Sequence, residues 1–157
     1  MNNIECMKLA LEEAYAGVKE DHGGPFGAVV VKDGQVVASA HNTVLRDNDP
    51  TKHAEVKAIS EASRKLGTFD LSGCVIYSTN EPCPMCFSAI HWARVDKVIF
   101  GTSIEDVAKR GFHELMLPCS EIKEKAGSLV EIEAGFMQGE CEELLNYWDN
   151  IPDKKTY

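Results

Sequence analysis

His53-Ala54-Glu55 and, further along the chain, Pro82-Cys83-Pro84-Met85-Cys86 supply one imidazole, two thiolates and a carboxylate in two short clusters. His53, Cys83 and Cys86 make three ligands for zinc, and three protein ligands leave the fourth tetrahedral position open for water. An open position distinguishes a catalytic zinc from a structural one, because the metal lowers the pKa of its water from 15.7 to roughly 7. Glu55 is the one acid inside these clusters; beside such a water it can accept a proton and hand it on to a reacting group. Taken singly, a Cys-x-x-Cys pair also fits a structural zinc half-site or a redox pair, and a helical histidine is often a satisfied side chain. A closed structural site would need a fourth ligand from His41, His91, His113, Cys74 or Cys119, and none has spacing that argues for it.

These side chains need particular elements beneath them. His53 and Glu55, two apart, point to different sides of a continuous helix, so both reach one metal only from a first turn, and Lys52 or His53 should begin that helix. Cys83 and Cys86, three apart, share a helix face if Pro82 opens the next helix and Cys83 lies in its first turn. A helix N-terminus there also favours the thiolate.

The chain-wide pattern supplies such elements. Ile4, Met7, Leu11, Ala14 and Val18 recur at steps of three and four, predicting an amphipathic first helix. Phe26 to Val31 and Gln35 to Ala40 read as strands joined by Lys32-Asp33-Gly34, an Asp-Gly hairpin. A polar stretch, Asn42 to Pro50, precedes a helix from about Thr51 to Leu66, with Gly67 as its stop. Strand Cys74 to Ser78, helix Cys83 to Arg94 and strand Lys97 to Gly101 form a βαβ unit, so those strands should run parallel. A short helix near Ile104 to Arg110, a weak strand near Leu129 to Glu133, a helix near Glu140 to Trp148 and a polar tail complete the reading.

The 157 residues, 44% apolar and 26% charged, fit one soluble domain, 1–157, with no linker or repeat. No basic and apolar leader marks the start, and six cysteines in this pattern suit a reduced compartment, so the cytoplasm is expected. A net charge of −9 and a pI near 5.0 work against a broad nucleic-acid footprint. Lys57, Arg64 and Lys65, interspersed with Glu61, read as a solvated helix face. A small-molecule substrate is favoured, with no membrane partner.

His-x-Glu with Pro-Cys-x-x-Cys is the signature of zinc nucleobase deaminases. Over nearly its whole length the chain resembles the cytidine deaminase superfamily, and most closely its bacterial guanine deaminase branch. Besides the two clusters, the resemblance rests on Gly23-Gly24-Pro25-Phe26-Gly27-Ala28-Val29, Asn42, Asp49-Pro50-Thr51, Glu81, Ala89-Ile90 with Trp92-Ala93-Arg94, Gly111-Phe112, and Lys154-Lys155-Thr156-Tyr157. It implies a three-layer α/β/α sandwich around a five-stranded mixed sheet, with the hairpin at its antiparallel end. It also implies one zinc per chain with water as fourth ligand.

By the same resemblance Glu55 and Glu114 are catalytic, while Phe26, Asn42, Ala54, Trp92, Glu114 and Tyr157 meet the substrate. Phe26 and Trp92 offer flat apolar surfaces to a planar base, although aromatics at such positions are more often plain core. Asn42 carries both donor and acceptor, although an Asn after a strand is ordinarily a turn former. Glu114 departs from the aspartate common in the family, keeping the carboxylate one methylene further out. His113 beside it is surface decoration or a substrate contact. The helix and tail of about 137–157, ending in Tyr157, would close the site, over either the same subunit or a neighbour. Tyr147, Trp148 and Ile151 suggest an intersubunit contact, and a homodimer is expected.

Four functions follow from these residues. The first is hydrolysis of guanine to xanthine and ammonia; the others are deamination of adenosine in tRNA, deamination of cytosine or another aminoheterocycle, and a zinc-stabilised binding module without catalysis. Net charge disfavours tRNA, and a module would have no use for Glu55 beside an open metal position.

Overall fold

Alternate residues of the central strands look to opposite sides of one sheet, and each side is covered by helices. The computed structural model describes residues 1–157. In chain order the elements are α1 (Asn3–Lys19), β1 (Gly27–Lys32), β2 (Gln35–His41), α2 (Val44–Asp47), α3 (Ala54–Leu66), β3 (Cys74–Asn80), α4 (Pro84–Trp92), β4 (Lys97–Thr102), α5 (Ile104–Ala108), α6 (Cys119–Ala126), β5 (Glu131–Glu133) and α7 (Gln138–Asp149). No helix is long and apolar enough to cross a membrane.

The five-stranded sheet has the order β2-β1-β3-β4-β5. β1 is antiparallel to both β2 and β3, whereas β3–β4 and β4–β5 are parallel. The βαβ unit and the hairpin at the antiparallel end therefore stand as expected. At the hairpin, Asp33 and Gly34 both take positive φ, 49° and 73°, the pair of left-handed residues that a two-residue primed turn requires.

Period-two alternation divides the core. Val29, Val31, Tyr77 and Ile99 pack with Cys6, Met7, Ala10, Leu11 and Ala14 of α1 and with Cys141 and Leu144 of α7. Ala28, Val30, Ile76, Val98 and Phe100 face the other way, onto Ala54, Ala58 and Ala62 of α3 and Phe87 and Ile90 of α4. Truncating a fully buried member such as Ile76 to alanine would cost about 2–5 kcal/mol. The result is the three-layer α/β/α sandwich. α1 begins in a capping box, with the Asn2 side chain accepting from Glu5 N and the Glu5 carboxylate accepting from Asn2 N, each at 2.9 Å.

Three local expectations need correction. α4 starts at Pro84, leaving Cys83 as its N-cap in extended backbone, because proline suits the first helical position. The polar stretch 42–50 contains α2, and Cys119–Ala126, which carries no sustained apolar stripe, forms α6. Trp148 does not offer an intersubunit surface: it is buried in the chain's own core, where Tyr147 and Ile151 also pack.

Candidate active site

α3 and α4 begin beside one another at the C-terminal ends of β3 and β4, where open α/β sheets place their ligand crevices. His53 is the N-cap of α3 with φ −70° and ψ 152°, so the chain bends between His53 and the helix proper. That bend lets His53 and Glu55 converge, which a continuous helix would forbid; the helix begins one residue later than the spacing predicts.

His53 Nδ1 lies 3.6 Å from Cys83 Sγ and 3.5 Å from Cys86 Sγ, and the three ligand atoms are all within 4.8 Å of one another. Tetrahedral zinc with Zn–N about 2.05 Å and Zn–S about 2.3 Å would set nitrogen and sulfur about 3.6 Å apart. The residues fit the ion in kind and in spacing. The neighbouring Cys86 thiol, and next the His53 imidazole, pull the Cys83 pKa down to about 4, while Cys86, facing that charge and buried, is held high. Binding of a metal requires both sulfurs as thiolates and so releases the thiol protons that remain.

Glu55 is 3% exposed. Burial, with the Cys83 charge behind it, raises its pKa above the usual carboxylate value. Its Oε1 accepts from Ser78 Oγ at 3.1 Å, and its Oε2 lies 3.4 Å from Cys86 Sγ. The carboxylate therefore borders the metal ligands without being one of the three.

These groups open into a cavity of about 330 Å³ whose lining includes Phe26, Asn42, His53, Glu55, Asn80, Cys83, Phe112, Glu114 and Tyr157. The aromatic rings form one wall: Phe112 packs edge-on against Phe26 at 5.1 Å and against Tyr157 at 5.3 Å. Asn42 does both things its residue type allows. Its Oδ1 accepts from Val44 N at 3.0 Å, shaping the turn, and its buried Nδ2 has no protein partner. A buried orphan donor on a cavity lining is unfavourable unless a ligand acceptor meets it. Gly23 has to be glycine beside it, since any Cβ would collide with Asn42 Oδ1.

Glu114 stands on the irregular stretch between α5 and α6. Burial, followed by the Cys83 charge, pushes its pKa up to about 7. Tyr157 is among the residues lining the cavity, its hydroxyl accepting from Gly24 N at 3.0 Å and its carbonyl from His113 N at 2.9 Å. Burial raises the pKa of that hydroxyl, so it stays protonated near neutrality. His113 is exposed at the mouth, and its backbone rather than its ring ties down the tail.

Two expected substrate contacts lie off the cavity wall. Trp92 is 80% exposed on the outside of α4. It comes nine residues after Cys83, two and a half helical turns, which turns it away from the metal ligands. Ala54 is fully buried, its side chain packed in the α3 core. Conversely, Asn80 and Phe112 line the cavity and Ser78 bonds Glu55, roles that residue type alone does not mark. Strand alternation from Cys74 and Ile76 would have pointed Ser78 and Asn80 toward α3 and α4, and the Gly111-Phe112 pair hinted at a forced turn, realised as φ 91° at Gly111.

Residues 1–102 match the model of the cytidine and deoxycytidylate deaminase zinc-binding region. The chain is 41% identical over 160 residues to the guanine deaminase of Bacillus subtilis, covering all of both chains. It is 36% identical over 140 residues to the tRNA-specific adenosine deaminase of the same organism, covering 89% of this chain and 84% of that one. Among solved structures it matches guanine deaminase from Nitrosomonas europaea with a TM-score of 0.88 at 29% identity, covering 96% of this chain and 86% of that one. With ligand atoms spaced for zinc and a carboxylate beside them, the chain belongs to the cytidine and deoxycytidylate deaminase family and is a zinc-dependent hydrolytic deaminase.

Proposed function

We propose that the protein hydrolyses guanine to xanthine and ammonia. The observation that carries this reading is a half-buried carboxylate, Glu114, sharing one cavity with His53, Cys83 and Glu55. Guanine offers two adjacent donors, the ring N1–H and the 2-amino group, and Glu114 as a carboxylate accepts from both. A base lacking them would leave the carboxylate unpaired, at a cost of about 1–3 kcal/mol or more. Phe26 and Phe112 supply apolar surface for the purine ring, and Asn42 Nδ2 donates to an acceptor on its edge.

His53, Cys83 and Cys86 would hold the zinc, which when bound supplies a Lewis acid that brings the pKa of a water from 15.7 to roughly 7. Glu55 takes one proton from the attacking water and delivers it to the ring nitrogen beside the attacked carbon, then takes the proton left on the added hydroxyl and delivers it to the departing amine. Ser78 keeps the Glu55 carboxylate oriented while this happens. Water adds at the carbon bearing the 2-amino group, the C–N bond breaks, and ammonia leaves. Tyr157 excludes bulk water during the exchange.

The full-length identity to a guanine deaminase favours this reading over tRNA, as does the net charge of −9, which disfavours a phosphate backbone. We read 1–157 as one domain in which the segment 137–157 closes the site, since Leu145 and Trp148 share the main core and Tyr157 packs against it. We also propose a homodimer through the α4 side, where Trp92 and Leu129, 80% and 91% exposed, present large apolar surface. Six free cysteines suit a reducing cytoplasm.

The test is ammonia release from guanine, adenine, cytosine and their nucleosides by the zinc-loaded protein, alongside Glu55→Gln. Release from guanine alone, lost by about 10²–10⁴-fold in a Glu55→Gln variant that keeps its zinc, is the expected result. Ammonia from none of these, with inosine formed in tRNA, would overturn the assignment to guanine. Activity surviving Glu55→Gln would overturn the proton-transfer role.

A further inference from the structure

Residues 109–118 belong to no helix or strand, yet Phe112, His113, Glu114 and Leu115 from this stretch line the cavity. An irregular segment that presents substrate-facing groups has to be held at both ends. Glu81, 6% exposed, holds the starts of the two helices on either side of that segment with a single side chain. Its Oε1 accepts from Ile104 N at 3.1 Å, at the first residue of α5, and its Oε2 accepts from Cys119 N at 2.8 Å, at the first residue of α6. Its own backbone N donates to Thr102 O at 2.7 Å, which fastens it to the end of β4.

The α6 N-cap is Pro118, with no side chain able to cap, so Glu81 provides from outside the acceptor that helix lacks. Only Pro82 separates Glu81 from Cys83. The main chain that sets one sulfur ligand and the segment that presents Glu114 are thereby fastened through one buried carboxylate. Glutamine could not replace it fully: it has one acceptor, and its amide N–H would face a backbone N–H.

We propose that Glu81 is a positioning residue for substrate selection, tying the starts of α5 and α6, the two helices that flank the Glu114-bearing segment, to the turn that carries Cys83. This rests on the reading of Glu114 as the group that recognises the base. Glu81 is not among the cavity-lining residues and acts through the backbone it holds, setting the span between the metal ligands and Glu114.

The test uses zinc-loaded Glu81→Gln and compares zinc content, amide hydrogen exchange, kcat and KM for guanine, and the inhibition constant of adenine against guanine turnover. Expected are one zinc per chain as in the parent, faster exchange at the Ile104 and Cys119 amides, and a KM for guanine raised about tenfold. The scale is that of one buried N–H left without a partner. kcat should fall less than KM rises, and the ratio of the adenine inhibition constant to the KM for guanine should drop about tenfold. Glu81→Asp, which keeps two acceptors, should recover part of that ratio and serves the same comparison if Glu81→Gln fails to fold. Unchanged exchange and KM would overturn the proposal, and so would a fall in kcat alone with the ratio intact. Absence of ammonia from guanine in the parent protein would instead defeat the substrate reading, while the exchange data would still judge the tie.

Discussion

Ser78 Oγ donates to Glu55 Oε1 at 3.1 Å in a region where both side chains are buried. Ser78 follows Cys74 and Ile76 on the face of β3 turned toward α3, and Glu55 is the second residue of α3. The bond engages one carboxylate oxygen and leaves Oε2 as the oxygen beside Cys86. A proton carrier works only when its free oxygen keeps a fixed aim, because displacement by about 1 Å can cost a hundredfold in rate.

Ser78→Ala should therefore lower kcat for guanine about tenfold with little change in KM, and zinc content should stay at the parent level. Steady-state kinetics with metal analysis on the same preparation check this. An unchanged kcat would mean that packing alone holds Glu55.

Activity should depend on the ionisation of Glu114, whose pKa is pushed up to about 7 by burial and then by the Cys83 charge. Accepting from guanine requires the deprotonated form, so kcat/KM should rise as pH increases through the Glu114 pKa. Zinc neutralises the Cys83 charge, which places this acid limb at or below about pH 7 in the loaded enzyme. The kcat/KM profile reports groups on the free enzyme, so guanine titrations from pH 5 to 9 read it directly. Glu114→Gln should remove the limb together with most of the guanine preference; a limb that persists in Glu114→Gln would assign it to another group.

Tyr157→Phe keeps the ring on Phe112 but leaves Gly24 N without its acceptor. The loss of one hydrogen bond, about 0.5–1.5 kcal/mol, should raise KM for guanine roughly two- to tenfold. Tyr157→Ala removes the ring as well and should raise it further, as a group closing the cavity would. Equal effects from both substitutions would show that the hydroxyl alone matters; no effect from either would show that the tail does not close on substrate.

The metal chemistry was legible without coordinates because it depends on residue type and local spacing. His53, Cys83, Cys86 and Glu55 could be assigned from two short clusters, and the hairpin at Asp33-Gly34 from turn chemistry, since each of these is decided within a few residues of chain. The βαβ unit was legible for the same reason, from its alternation of apolar runs. What the tertiary structure alone decided are relationships across long separations: Ser78 against Glu55, Tyr157 over Gly24, and Glu81 at the starts of both α5 and α6. Trp92 shows the same limit from the other side, because a residue type suited to stacking says nothing about which way its helix is turned. Local backbone preference dictates elements and first-turn geometry, whereas the aim of a side chain follows from how those elements pack, and packing is a property of the whole chain.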